Sequence, residues 1–127
     1  MTPTSGSRLA WLILACLAGL AGARAQPPAA GLRLLMFEDQ DCGYCALWDR
    51  EVGVVYPRTD EGRAAPLARA ELHVTQLAGV SLRDPVRYTP TFVLLRDGRE
   101  VGRITGYPGE AHFWGLLGAL LQRSNQR

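Results

Sequence analysis

Lysine is missing from this 127-residue sequence, and cysteine, histidine and methionine are scarce. All 14 cationic side chains are arginines, set against 12 acidic residues, and there are three cysteines, two histidines and two methionines. With no basic stripe interleaved with aromatic residues, nucleic acid is not expected as a partner. So few cysteines also exclude the disulfide-dense framework found in many small secreted proteins.

No apolar run is long enough to favour a retained membrane span. The longest one, residues 9–22, falls short of the about 20 residues that a spanning helix needs. Arg8 precedes it, and Ala23-Arg24-Ala25 follows as an A-x-A cleavage site. These are the three parts of a secretory signal peptide. We therefore expect residues 1–25 to be removed on export, leaving a mature domain of residues 26–127.

Two alternatives to a cleaved leader are a retained anchor and a lipid attached to Cys16. The residues around Cys16 form a poor lipidation signal, because the apolar stretch continues past it. Cleavage would also remove Arg8 and Arg24, which leaves 12 arginines against 12 acidic residues. The mature chain is then electrically balanced, and it keeps only two cysteines.

Those two cysteines are spaced as Cys42-Gly43-Tyr44-Cys45. A bridge that closes so short a loop constrains the unfolded chain very little, so reactivity explains the pair better than stabilisation does. C-x-x-C is also half of a zinc site, but zinc takes four ligands and only His73 and His112 remain. We expect no metal and no other cofactor.

Apolar patterning and turn residues predict a single α/β domain with the order β-α-β-(α)-β-β-α. Asp97-Gly98 is the strongest hairpin signal, and Pro57 marks the end of the first helix. The predicted elements are a strand over 32–37, a helix over 43–56, a loop over 58–66, a strand over 67–74, a short helix or turn and then a loop over 75–88, strands over 91–95 and 101–105, and a helix over 110–121.

A strand that runs into C-x-x-C at the start of a helix suits disulfide exchange. Attack requires a thiolate, and the N-terminus of a helix stabilises negative charge. Cys42 occupies that end of the predicted helix. Cys45 lies one turn further on, where it can reach back and resolve the mixed disulfide that Cys42 forms.

A second motif, Thr89-Pro90, comes just before the predicted hairpin. With the C-x-x-C after the first strand and Gly106 after the last, it makes residues 32–122 resemble the thioredoxin superfamily. The resemblance implies a thioredoxin-like fold, with a central mixed sheet flanked by helices. It also implies a cis Pro90 packed against the cysteines, and a Thr89 whose backbone binds a substrate strand.

Within that superfamily, Gly43-Tyr44 and the threonine before proline are similar to the DsbC-type disulfide isomerases. Thr89 follows Cys42 by only 47 positions, too few for the helical insertion of that group. The compact size and the segment 106–117 are closer to the small SoxS/SoxW-type periplasmic thioredoxins. The resemblance implies a periplasmic protein that reduces protein disulfides or persulfides of the sulfur-oxidation machinery, with electrons from a DsbD- or CcdA-like membrane protein. We expect the mature chain to be a monomer.

Two positions depart from ordinary thioredoxins. Asp41 stands where those proteins have tryptophan before the first cysteine, and Met36 stands where they have a buried aspartate. Glu38, at the end of the first strand, is therefore our candidate for the group that accepts a proton from Cys45. Asp39 and Asp41 should oppose the thiolate of Cys42.

The sequence leaves other functions open. Gly43 and Tyr44 lie between the cysteines, and Tyr44 is expected to tune contact with the substrate. Isomerisation or oxidation of disulfides is one alternative to reduction. Another is a maturation chaperone that uses C-x-x-C to bind a metal or a haem protein, but the mature chain offers only Met36 and two histidines for such a surface.

Overall fold

The computed structural model describes residues 31–74 and 76–126; the predicted signal peptide and its cleavage site lie outside them. Four strands and three α-helices are present in these residues. In chain order they are β1 (Leu32–Glu38), α1 (Gly43–Trp48), α2 (Asp60–Ala64), β2 (Leu67–Glu71), β3 (Thr91–Arg96), β4 (Arg99–Thr105) and α3 (Glu110–Asn125). None of the described helices is both long enough and apolar enough to cross a bilayer.

The strands form one mixed sheet in the order β2-β1-β3-β4. β1 pairs in parallel with β2 and antiparallel with β3, and β3 and β4 form the antiparallel hairpin. β1 and β3 are central, which explains why their sequences are nearly continuous apolar runs. This mixed sheet with its helices confirms the predicted fold class.

Each face of the sheet has its own apolar core. On one face, residues of β1 and β3 such as Met36 and Phe92 pack with side chains of α1 and α3. Trp48 is fully buried there, with ring centroids 5.1 Å from Phe92 and 5.6 Å from Phe113. Such aromatic pairs add about 0.5–1.5 kcal/mol each beyond the burial of their area.

The other face is covered by the chain between β2 and β3. Phe37 and Val93 are buried on this side, against apolar side chains of that connection. We predicted a helix or turn followed by a loop over 75–88, and residues 76–88 contain turns and one isolated bridge, between Ser81 and Arg99, but no helix. The apolar residues here are held by the sheet surface, so helical periodicity is not required of them.

The predicted loop over 58–66 is wrong in part, because it contains α2. The Thr59 hydroxyl accepts a hydrogen bond from the Gly62 N–H at 3.0 Å and so caps this one-turn helix. Gly62 also lies against the Tyr56 carbonyl, since a Cβ built on Gly62 would be 1.8 Å from that oxygen. This close approach is what requires glycine in the short helix.

The predicted helix over 43–56 is not uniformly α-helical. α1 ends at Trp48, a π-helical turn spans Asp49–Gly53, and Pro57 lies within a 3-10 turn, Tyr56–Arg58. β2 ends at Glu71, three residues before the predicted end, and α3 continues to Asn125. π-turns inside helices are frequent at functional sites, and this one directly follows α1, the helix that carries the cysteine motif.

Candidate active site

The cysteine motif lies where β1 passes into α1. Cys42 is the N-cap of α1, with an extended backbone, and its N–H donates to the Asp39 carbonyl at 3.2 Å. Cys42 and Cys45 form a disulfide with an S–S distance of 2.03 Å and Cα atoms 5.2 Å apart. The Cys45 N–H points at the Sγ of Cys42, with an N···S distance of 3.1 Å. A backbone donor is therefore in place beside that sulfur.

The two cysteines differ in exposure. Cys42 is partly exposed, whereas Cys45 is 4% exposed and packs in the same core cluster as Met36 and Trp48. An incoming disulfide can therefore reach Cys42 more easily than Cys45.

A shallow groove lies beside the motif. Its volume is about 320 Å³, and it is lined by Tyr44, Thr89, Pro90, Thr105, Gly106, Tyr107 and Pro108. The Thr89–Pro90 peptide bond is cis, and the Pro90 carbonyl accepts a hydrogen bond from the Gly106 N–H at 2.7 Å. The structure thus brings Tyr44, Thr89 and Pro90 together along one groove, and their role in binding a substrate stays a prediction. Gly43 and Tyr44 are exposed at the helix start.

Tyr107 closes one side of this groove and was not singled out from the sequence. Its hydroxyl donates to the Glu51 carboxylate at 2.5 Å, which joins the groove to the π-helical turn. Burial raises the pKa of Tyr107, and the hydrogen bond to Glu51 raises it further. The hydroxyl therefore stays protonated and remains a donor at neutral pH.

Glu38 is engaged in an ion pair. Its carboxylate accepts from Arg69 Nη1 at 2.6 Å, and Arg69 Nη2 donates to Asp49 at 2.5 Å. The hydrogen bond to Asp49 is the main cause that raises the pKa of Arg69. Whether Glu38 accepts a proton from Cys45 stays a prediction. Arg69 itself carries no local sequence signal, because its partners are distant in the chain.

The strand behind the motif carries no buried acid. Met36 is fully buried, and Glu100 is the one buried carboxylate among residues 31–74 and 76–126. The Arg103 side chain and the Arg83 N–H both donate hydrogen bonds to the Glu100 carboxylate, so Glu100 belongs to a different hydrogen-bond network. Within the same residues no cluster of three or more histidine, cysteine or acidic side chains could hold a metal ion.

A mixed sheet, a reactive cysteine pair at the start of α1 and a cis-proline groove beside it define a thioredoxin-like thiol-disulfide oxidoreductase. A family model for the thioredoxin-like domain matches residues 23–121, and the chain belongs to that family.

The chain is similar to a periplasmic thioredoxin of known structure. It is 50% identical to SoxS from Paracoccus pantotrophus, solved in the reduced form, over 73% of this chain and 98% of that one, with a TM-score of 0.72. Thioredoxin from Fasciola hepatica is 24% identical over 71% of this chain and 81% of its own, with a TM-score of 0.53, and shows the fold alone. No curated protein sequence matches the chain significantly.

Proposed function

We propose that this chain is an exported dithiol reductase that acts on protein disulfides or persulfides in the periplasm, with Cys42 as the attacking residue and Cys45 as the resolving residue. The observation that carries the proposal is the asymmetry of the pair. Cys42 is accessible and has the Cys45 N–H beside its sulfur, whereas Cys45 is buried. Only one of the two sulfurs is open to a client.

The reaction proceeds in two exchange steps. The Cys42 thiolate attacks one sulfur of a client disulfide, forms a mixed disulfide and releases the other client sulfur as a thiolate. Cys45 then loses its proton and attacks the Cys42 sulfur, which releases the second client thiolate. The client gains two electrons and the protein is left with the Cys42–Cys45 disulfide. A DsbD- or CcdA-like membrane protein would return two electrons.

The groove supplies the binding surface for the client. Thr89 is partly exposed and lines the groove, and Tyr44 is 64% exposed between the two cysteines in the sequence. An extended client segment could pair its backbone with Thr89 and lay an apolar side chain against Tyr44. This arrangement would hold the client sulfur near Cys42.

Trapping of a client tests the division of labour between the cysteines. Cys45→Ser should accumulate a mixed disulfide with a disulfide-linked probe peptide, because nothing remains to resolve it. Cys42→Ser is the matched control and should trap none. Mass analysis of the adducts under non-reducing conditions measures both. Trapping by Cys42→Ser instead of Cys45→Ser would reverse the assignment.

Export is the second part of the proposal. It is supported by the three-part leader in residues 1–25 and by the similarity to a periplasmic thioredoxin. Intact mass of the protein recovered from the periplasm should correspond to a chain that begins at Gln26. A mass that includes a lipid on Cys16 would overturn the soluble periplasmic assignment.

A further inference from the structure

We propose that Arg69 is a positioning residue of the redox site, which holds both ends of the segment that carries the cysteines and offsets its negative charge, so that it sets how much thiolate the reduced protein contains. This inference rests on the proposed role of Cys42 as the attacking residue. Arg69 touches neither cysteine in any contact described above, so it would act through other side chains.

The geometry places Arg69 across the base of the motif. One guanidinium nitrogen pairs with Glu38, the last residue of β1, and another with Asp49, directly after α1. Cys42 and Cys45 lie between Glu38 and Asp49 in the sequence, so the two ion pairs hold the ends of the segment that carries the cysteines. A guanidinium has the planar fork needed to bind two carboxylates at once, which lysine lacks.

The packing fixes the guanidinium in this place. Its Cζ lies 5.9 Å from the centroid of the Trp48 ring, within range of a cation–π interaction. Trp48 is fully buried and precedes Asp49 at the end of α1. In the sheet, Arg69 is the register partner of Met36, the residue that replaces the buried aspartate of ordinary thioredoxins. The cation thus lies beside the strand that lacks the acid.

The segment that carries the cysteines is negatively charged, so its ion pairs with Arg69 affect the charge near the thiols. Residues 38–49 contain four carboxylates and no basic residue. Among the described residues, two side chains from outside the segment pair with them: Arg69, and His73 at 3.8 Å from Asp39. Without Arg69, Glu38 and Asp49 would be uncompensated. Apart from the cysteines, the charged or titratable groups of this segment and of the side chains paired with it are Glu38, Asp39, Asp41, Tyr44, Asp49, Arg69 and His73.

Uncompensated carboxylates disfavour a nearby thiolate and hence the reduced protein. In the exchange reaction, reduced protein and one glutathione disulfide give protein disulfide and two glutathione molecules. Loss of Arg69 should therefore move this equilibrium toward the protein disulfide. The three side chains are 26–42% exposed, so solvent screens the interaction. We expect a change of about two- to fivefold in the equilibrium constant.

Arg69→Gln in the mature chain tests the inference. The equilibrium constant with glutathione should rise about two- to fivefold, and alkylation of Cys42 should require a higher pH. Arg69→Lys keeps the charge and provides a second variant in case Arg69→Gln folds poorly. Its equilibrium constant should lie between those of wild type and Arg69→Gln. The triple variant Glu38→Gln/Asp49→Asn/Arg69→Gln removes both signs of charge and should return toward the wild-type constant.

Arg63→Gln is the matched control, because Arg63 forms an exposed pair with Asp60 on α2. It loses the same charge and should leave the constant unchanged. A purely structural role for Arg69 would lower the melting temperature of Arg69→Gln while the constant and the alkylation profile stay at wild type, and that result overturns the inference. A wild-type protein in which Cys45 alkylates at lower pH than Cys42 would instead refute the proposed function.

Discussion

Glu100 is a charged residue that is almost completely buried. It is 7% exposed, and its carboxylate accepts from Arg103 at 2.6 and 2.7 Å and from the Arg83 N–H at 2.8 Å. Burial alone would raise the pKa of Glu100, but the hydrogen bonds and charges of Arg103 and Arg83 outweigh it and hold the pKa below its usual value. Arg103 also binds the Asp84 carbonyl, so the pair fastens the β2–β3 connection to β4.

Glu100→Gln should lower the free energy of unfolding by about 1–3 kcal/mol at pH 7. Because the folded pKa is lowered, the contribution of the carboxylate is complete above its unfolded pKa of about 4.3 and is lost as the pH falls through the folded value. Urea unfolding at pH 7 and in acid should therefore show a difference from wild type that shrinks in acid. Exposed Glu71→Gln is the control and should differ little at either pH; an undiminished Glu100→Gln difference in acid would contradict this explanation.

Sequence patterns predict those elements whose signal is local. β1 and β3 are buried on both faces and therefore read as apolar runs. The hairpin turn follows from Asp97-Gly98, whose φ values of 50° and 79° are those that an Asp-Gly turn accommodates. The cysteine motif and Thr89-Pro90 are equally local. Fold class and the core of the candidate site could thus be predicted.

Elements held by tertiary contact could not be predicted in the same way. α2 is a single turn that depends on the Thr59 cap and a contact with Tyr56, and it shows no apolar period. The pairs that complete the site join distant residues: Arg69 lies 31 positions from Glu38, and Tyr107 lies 56 from Glu51. These contacts depend on the β1–β2 register and on how α1 continues after Trp48, neither of which composition specifies.

In the whole molecule, the sheet separates two apolar cores that are covered in different ways. On one face, helices bury Trp48 and Cys45 and position the dithiol. The other face is covered by the β2–β3 connection, which contains no helix in its described residues. The candidate site lies at the edge where β1 meets α1.

We propose that the charges at that edge decide the direction of electron flow. Strong oxidants of the DsbA type gain their potential from a highly stabilised thiolate. Here Asp39 and Asp41 lie within three positions of Cys42 in the sequence, and the motif itself contains no histidine or arginine. A less stabilised thiolate makes the disulfide the preferred state and the reduced protein the better electron donor.

Equilibration of the mature chain, residues 26–127, with a glutathione redox buffer tests this claim most directly. We predict a reduction potential closer to that of thioredoxin, about −270 mV, than to that of DsbA, about −120 mV. The oxidised fraction can be counted by alkylation and mass measurement. A potential above about −150 mV would contradict the reductase assignment and identify an oxidase.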